Sequence, residues 1–266
     1  MSRVAVVTGA ARGIGAATVT RLAADGWSVV AVDRCADDPR LPYALGTAED
    51  LAAVVASAQS SAGSADTVRS LAGDAASPED LRAAVQIAER EFGGVDAMIA
   101  AAGVIAGGVR LWEMPEAELE AVLEVDLHAV LVAARVGVPA LLRRPEPRSG
   151  RFVAVASAAA TRGLPLLAAY CAAKAGVAGL VRALGAELRG TGITANAVSP
   201  GSTETPILHE SARLYGLESP EAFAAQQPLE RLIRPAEVAD AIAWLVGPGA
   251  SAVTGATVAV DGGLSL

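Results

Sequence analysis

One lysine occurs in the 266 residues of the chain; every other one of its 21 Lys and Arg positions is arginine. Aromatics are nearly as scarce, at 3% of residues, so the core must be built from small and branched aliphatic side chains. Two cysteines, Cys35 and Cys171, are too few for a disulfide framework or a metal cluster and fit a reducing, cytoplasmic setting. Two histidines, His128 and His209, leave little for zinc, and no metal site is expected. Basic charge is in deficit: the net charge of -8 argues against nucleic acid or an anionic membrane as partner. No run of eighteen residues is free of charged or polar groups, so no membrane-spanning helix is expected. The opening MSRVAVVTGA has neither the apolar region nor the cleavage site of a secretory signal.

What is present is rhythm. Short apolar runs at Val4–Thr8, Ser28–Val32, Asp96–Ala100, Phe152–Ala156 and Thr194–Val198 have the length and residue type of buried strands. Helix-period segments lie between them, among them Leu81–Glu91, Ala117–Leu142 and Ala172–Arg189. Strand and helix in turn predict one α/β domain over 1–266, a parallel sheet with helices on both faces. Ala256–Val260 reads as one more edge strand. Three stretches interrupt the pattern: Cys35 to Asp66, with a helix predicted near Ala48–Ala58; Pro145–Arg148, a surface turn; and Ser202 to Arg234, which carries Pro206, Pro220 and Pro228 and is expected to hold one or two short helices. Long irregular segments inside a compact domain are commonly functional.

The first strand runs into TGAARGIG, residues 8–15. Gly9, Gly13 and Gly15, with Arg12 and Ile14 among them, fall between a strand and a helix. There the backbone turns sharply and the helix N-terminus favours an anion such as a pyrophosphate. Asp33 closes the second strand, where a carboxylate would hold the adenosine ribose hydroxyls and repel a 2′-phosphate. NAD is therefore expected over NADP, although Arg12 and Arg34 each offer a guanidinium that could pair with that phosphate.

The single lysine lies in YCAAK, residues 170–174. Tyr170 and Lys174 are four apart and share one helix face. An ammonium beside a phenol favours phenolate, which predicts a lowered Tyr170 pKa and a usable proton donor or acceptor near neutral pH. A compact ammonium suits this role better than a planar guanidinium. Ser157 ends the strand RFVAVAS, at the strand edge where open α/β sheets bind ligands, and could hydrogen-bond a substrate carbonyl.

TGAARGIG, the Ser157…Tyr170-x-x-x-Lys174 set, NAVSPG at 196–201 and VDGG at 260–263 together resemble the short-chain dehydrogenase/reductases over essentially the whole chain. The resemblance implies a Rossmann-like, doubly wound fold, a nicotinamide cofactor and interconversion of an alcohol and a ketone. By position, Tyr170 is implied as general acid/base, Ser157 as the group orienting the carbonyl, and Lys174 as the residue that tunes Tyr170 and holds the nicotinamide ribose. Asp74 and Ala75 match the segment at adenine; Pro200, Gly201 and Thr203 match the segment around the nicotinamide. Two departures stand out. The family's usual N-N-A-G reads Ala100-Ala101-Ala102-Gly103, so Ala101 and Gly103 can line the cofactor only with backbone. The catalytic asparagine of the family falls at Asp126, where a carboxylate would place negative charge near Lys174 and raise the pKa of Tyr170.

The chain from Asp33 to Asp74 is longer than the family needs, with an insert over about 35–70. It resembles the subgroup coupled to the redox carrier mycofactocin, in which such an insert implies NAD that does not exchange; a longer surface loop is the other reading. Ile207, Leu208, Leu214, Tyr215, Leu217 and Phe223 give the segment 202–234 apolar faces. With Val104, Ile105 and Trp112 they would form a cavity for a hydrophobic secondary alcohol, or would meet a neighbouring subunit. The resemblance also implies a homotetramer built on the helices near 117–142 and 170–189, whose Ala172, Ala175, Gly176 and Gly179 suit close approach. A nucleotide-binding sensor with little turnover is the alternative function. A P-loop phosphotransferase is excluded, because no G-K-[ST] follows the glycines.

Overall fold

The computed structural model describes residues 2–266. Seven parallel strands form one sheet in the order β3-β2-β1-β4-β5-β6-β7. They are β1 (Val4–Thr8), β2 (Ser28–Asp33), β3 (Val68–Ala72), β4 (Ala97–Ala100), β5 (Arg151–Val155), β6 (Thr194–Pro200) and β7 (Thr257–Val260). Alternate side chains of each strand point to opposite faces. Val4 and Val6 therefore join Val30, Val32, Met98 and Phe152 in one core, while Ala5 and Val7 join Val29, Ala31, Ile99 and Val153 in the other. This is why the strand segments read as continuous apolar runs rather than alternating ones.

One face is covered by α1 (Gly13–Ala24), α2 (Ala48–Ala62) and α8 (Pro235–Val246), which supply Leu22, Leu51, Ile242 and Leu245. The other is covered by α3 (Pro78–Phe92), α5 (Ala129–Leu142) and α6 (Ala168–Glu187), which supply Leu81, Val132, Leu141 and Val177. Scarce aromatics are offset by close approach of backbones. At Gly137 in α5 a Cβ would come 2.7 Å from the Met98 side chain, so the helix can lie this near the sheet only without one.

Two expectations are corrected. β3 was not expected as a strand. It is an edge strand in which only Val68 is buried, and its Arg69 and Ser70 hide the apolar pattern. The segment expected as one regular helix over 117–142 is α4 (Glu116–Leu123), a π turn over Glu124–His128, and α5. Together they make the one helix, among the described residues, that is long and apolar enough to cross a membrane. Half of that stretch is buried inside the protein, where Val130, Val132, Ala133 and Leu141 pack on the sheet, as expected of a core helix. The segment 202–234 holds α7 (Pro206–Leu214) and a 3₁₀ turn over Pro220–Gln226.

Candidate active site

β1 pairs with β2 on one side and β4 on the other, so the loops leaving β1 and β4 part at the carboxyl edge of the sheet. A cleft of about 550 Å³ opens there, at the topological switch point of the sheet. The β1–α1 turn forms its floor with Gly9, Arg12, Gly13, Ile14 and Gly15. Two glycines are required by contact. A Cβ on Gly15 would lie 1.9 Å from the Gly9 carbonyl oxygen, and one on Gly9 would lie 2.6 Å from Ala102 Cα. No side chain caps the N-terminus of α1, which leaves its free N–H groups to an anion in the turn.

Asp33 stands at the end of β2 on the cleft wall. Its Oδ2 accepts from Ala11 N at 2.9 Å and its Oδ1 from Cys35 N at 3.1 Å, which leaves lone pairs for further donors. The two nearby guanidiniums are engaged: Arg12 lies 2.6 Å from Asp50 Oδ2, and Arg34 2.9 Å from Asp38 Oδ2. Asp74 and Ala75 line the same wall, and Asp74 Oδ1 accepts from Ala76 N at 2.8 Å. Ala101 and Gly103 follow β4 along the cleft. The tri-alanine turn is held from β1 instead of by asparagines: Thr8 Oγ1 accepts from Ala101 N at 3.2 Å and from Ala102 N at 3.3 Å. Pro200, Gly201 and Thr203 continue from β6. Buried Gln227 clamps them by accepting from Ser202 N at 2.8 Å. In the VDGG motif, Asp261 accepts from Gly263 N and Ser265 N, both at 2.9 Å, and folds the tail back so that Leu264 reaches the cleft.

Ser157, at the exit of β5, and Tyr170, in the first turn of α6, both face the cleft. Lys174 lies behind them, 3% exposed, with Nζ 5.5 Å from the centre of the Tyr170 ring. Nζ donates to Val155 O at 3.1 Å and lies 2.9 Å from Asp126 Oδ1. Asp126 is fully buried. The π turn at 124–128 carries it, and such one-residue bulges in helices commonly mark functional positions. Its Oδ2 also accepts from Val104 N at 3.4 Å.

The electrostatics differ from the sequence expectation in one respect. Burial raises the Tyr170 pKa; Lys174 and the Ser157 hydroxyl pull it down and Asp126 pushes it up, and the net direction is upward rather than downward. Burial also pushes the Asp126 carboxyl up against the opposing pull of Lys174. For Lys174, burial works against the ammonium, but Asp126 and Tyr170 outweigh it and hold the pKa above the usual value.

Sequence reasoning missed Tyr43, Ala44, Leu45 and Gly46 of the insert, which line the cleft. The Tyr43 hydroxyl accepts from Ile105 N at 2.8 Å, and burial drives the Tyr43 pKa upward. Leu41, Tyr43 and Leu45 pack with Val104, Val122 and Tyr170. Asp38 pairs with Arg34 and Arg40, and Arg40 reaches Glu124 on the π turn. An aromatic in a chain with three tyrosines, set in the apolar tripeptide Leu-Pro-Tyr, was the available signal. In the 202–234 segment Ile207, Leu208, Tyr215, Leu217 and Phe223 line the cleft with Val104 and Ile105. Leu214 lies outside the lining. Trp112, expected in the cavity, is 78% exposed on a short 3₁₀ turn with the Arg110 guanidinium over its ring.

A glycine-floored crevice for a dinucleotide, with a serine, a tyrosine and a buried lysine converging beside it, defines the class: a nicotinamide-nucleotide oxidoreductase of the Rossmann type. The enoyl-(acyl carrier protein) reductase family model matches residues 9–265. The chain belongs to the short-chain dehydrogenase/reductase family, whose members are NAD(P)-dependent enzymes acting on CH–OH groups. It is 39% identical to a cis-4-hydroxycyclohexanecarboxylate dehydrogenase of Sinomonas cyclohexanicum, over 98% of this chain and 96% of that protein. It is 34% identical to a cyclohexanol dehydrogenase of Acinetobacter, over 98% of this chain and 94% of that one. Among solved structures, carveol dehydrogenase from Mycobacterium avium in complex with NAD superposes with a TM-score of 0.91 at 28% identity, covering 98% of this chain and 97% of that one.

Proposed function

We propose that this protein interconverts a hydrophobic, alicyclic secondary alcohol and its ketone with NAD as cofactor. The observation that carries the reading is the convergence of Ser157 and Tyr170 on one cleft with the glycine turn, with Lys174 directly behind. When bound, the dinucleotide supplies hydride acceptance and donation. Ser157 holds the substrate oxygen by hydrogen bond and Tyr170 takes the hydroxyl proton in oxidation or returns it in reduction. Lys174 stabilises the phenolate and offers its remaining donor to a ribose hydroxyl. Asp126 belongs to the same relay through its contact with Lys174. The apolar lining from Ile207, Leu208, Leu217 and Phe223 excludes water and favours a hydrocarbon ring. The substrates named for the similar dehydrogenases, cyclohexanol and a hydroxycyclohexane carboxylate, support an alicyclic alcohol.

NAD is preferred over NADP because Asp33 presents negative charge to the adenosine ribose while Arg12 and Arg34 are held by carboxylates of the insert. The insert, pinned across the cleft by Tyr43 and by the Asp38 and Arg40 ion pairs, supports slow cofactor exchange, with recycling by an external carrier of the mycofactocin type. A homotetramer built on α4–α6 completes the reading.

The test is oxidation of cyclohexanol-type alcohols with NAD⁺ and with NADP⁺, using mycofactocin or an artificial electron acceptor to recycle the cofactor. Tyr170→Phe should lower kcat at least about a thousandfold while leaving nucleotide binding intact. Equal turnover of the Phe variant would remove the proposed chemistry. Nucleotide binding without turnover in the wild type would favour the sensor reading.

A further inference from the structure

We infer that Asp126 is a fixed counter-charge that favours the oxidised over the reduced form of the bound nucleotide. The inference rests on the functional reading above and concerns a position where a carboxylate stands in place of the family's asparagine. Asp126 is completely buried, 2.9 Å from Lys174 Nζ. Gly103, part of the cleft lining, stands against this pair: a Cβ there would lie 3.0 Å from Asp126 Oδ1 and 3.7 Å from Lys174 Nζ. A side chain at 103 would crowd the ion pair, and its absence leaves a single backbone residue between the carboxylate and the cleft. The next residue, Val104, both lines the cleft and donates its N–H to Asp126.

The charges around Asp126 are few. Lys174 is in contact with it, the Tyr170 and Tyr43 hydroxyls lie in the same cluster, and the Arg40–Glu124 pair sits at the start of the π turn. The oxidised nicotinamide ring carries one positive charge and the reduced ring none. Burial keeps Tyr170 a phenol whichever nucleotide is bound, so with an oxidised ring two cations, the ring and Lys174, face one anion, Asp126. With a reduced ring and Tyr170 as phenol, Lys174 and Asp126 balance each other. Were residue 126 neutral, the reduced state would hold one uncompensated positive charge and the oxidised state two, with no anion to attract the ring. The carboxylate attracts the cationic ring and has no comparable hold on the neutral one. Charges that are buried together are screened little by salt.

The proposal is tested by binding, without turnover. Protein is incubated to equilibrium with an equal mixture of NAD⁺ and NADH and desalted, and the two bound nucleotides are extracted and quantified. Asp126→Asn should lower the ratio of bound NAD⁺ to bound NADH about tenfold, the size expected for one unit charge acting across roughly 12 Å at an effective dielectric constant of about 20. Asp126→Ser, which removes the charge and leaves a different local packing, should lower it by a similar factor. An unchanged ratio in both variants overturns the inference, as does a shift with serine alone, which marks a packing effect. If the wild type binds neither nucleotide, the functional reading falls with it; if it binds both and the ratio ignores residue 126, only this inference falls.

Discussion

Lys174 shows why an arginine-rich chain keeps one lysine. Its ammonium fits a point in the core bounded by Val155 O, Asp126 Oδ1 and the Tyr170 ring. A planar guanidinium is wider and could not satisfy its five donors there. The pairing with Asp126 has a consequence for pH. Asp126 raises the Tyr170 pKa, and in the proposed mechanism alcohol oxidation requires the phenolate, so oxidation should rise with pH as Tyr170 ionises. Removing the negative charge stabilises the phenolate. In Asp126→Asn the ascending limb of kcat/KM for oxidation should move to lower pH. The alkaline fall of ketone reduction, which requires the phenol, should move down with it. A pH profile for each direction measures both. Coincident wild-type and variant profiles would place Asp126 outside the relay.

At the level of elements, the insert between β2 and β3 closes one side of the cleft. Its first half carries no regular structure and is fixed by point contacts: Tyr43 to Ile105 N at 2.8 Å, Leu45 N to Asp37 Oδ1 at 2.7 Å, and the Asp38 ion pairs. Its second half is α2, whose Thr47–Asp50 capping box shares Asp50 with Arg12 of the glycine turn. Tyr43→Ala would delete the central anchor. Dissociation of bound NAD⁺, followed by dialysis or by chase with excess nucleotide, should become at least about tenfold faster, with little change in the glycine turn itself. Retention as tight as in the wild type would mean that the insert does not cover the nucleotide. The same element marks where legibility ended. β1, the glycine turn, Ser157 and the Tyr170–Lys174 pair could be read directly, because each is a local pattern with one physical interpretation. Tyr43 could not, because its role depends on a contact 62 residues away. β3 was hidden because an edge strand with one buried residue lacks the apolar run of its neighbours. The upward shift of Tyr170 was hidden because adjacency to lysine is visible in a sequence and full burial is not.

At the scale of the whole molecule, the outer faces of α4–α6 remain exposed and apolar. Leu123 and Leu131 are each 37% exposed. Ala172, Ala175 and Ala183 lie exposed along α6, and a Cβ on Gly179 would meet nothing within 4 Å. Gly176, expected in this face, is explained inside the chain, since its Cβ would press to 2.9 Å from Leu127. Gly179 has no such internal reason, and in the middle of a helix glycine costs about 1 kcal/mol relative to alanine. A second helix laid across α6 would supply that reason, because small residues let backbones approach closely. Tetramer formation through α4–α6 therefore predicts that Ala175→Arg, which leaves the cleft-facing Tyr170 untouched, dissociates the assembly. Size-exclusion chromatography with light scattering should show the wild type at four times the chain mass and the variant at one or two times. Because α6 carries both Tyr170 and Lys174, the dissociated variant should also lose thermal stability and part of its activity, and NAD⁺ should restore some of that stability by mass action. A wild-type monomer, or a variant that remains tetrameric, would assign this face to something other than self-association.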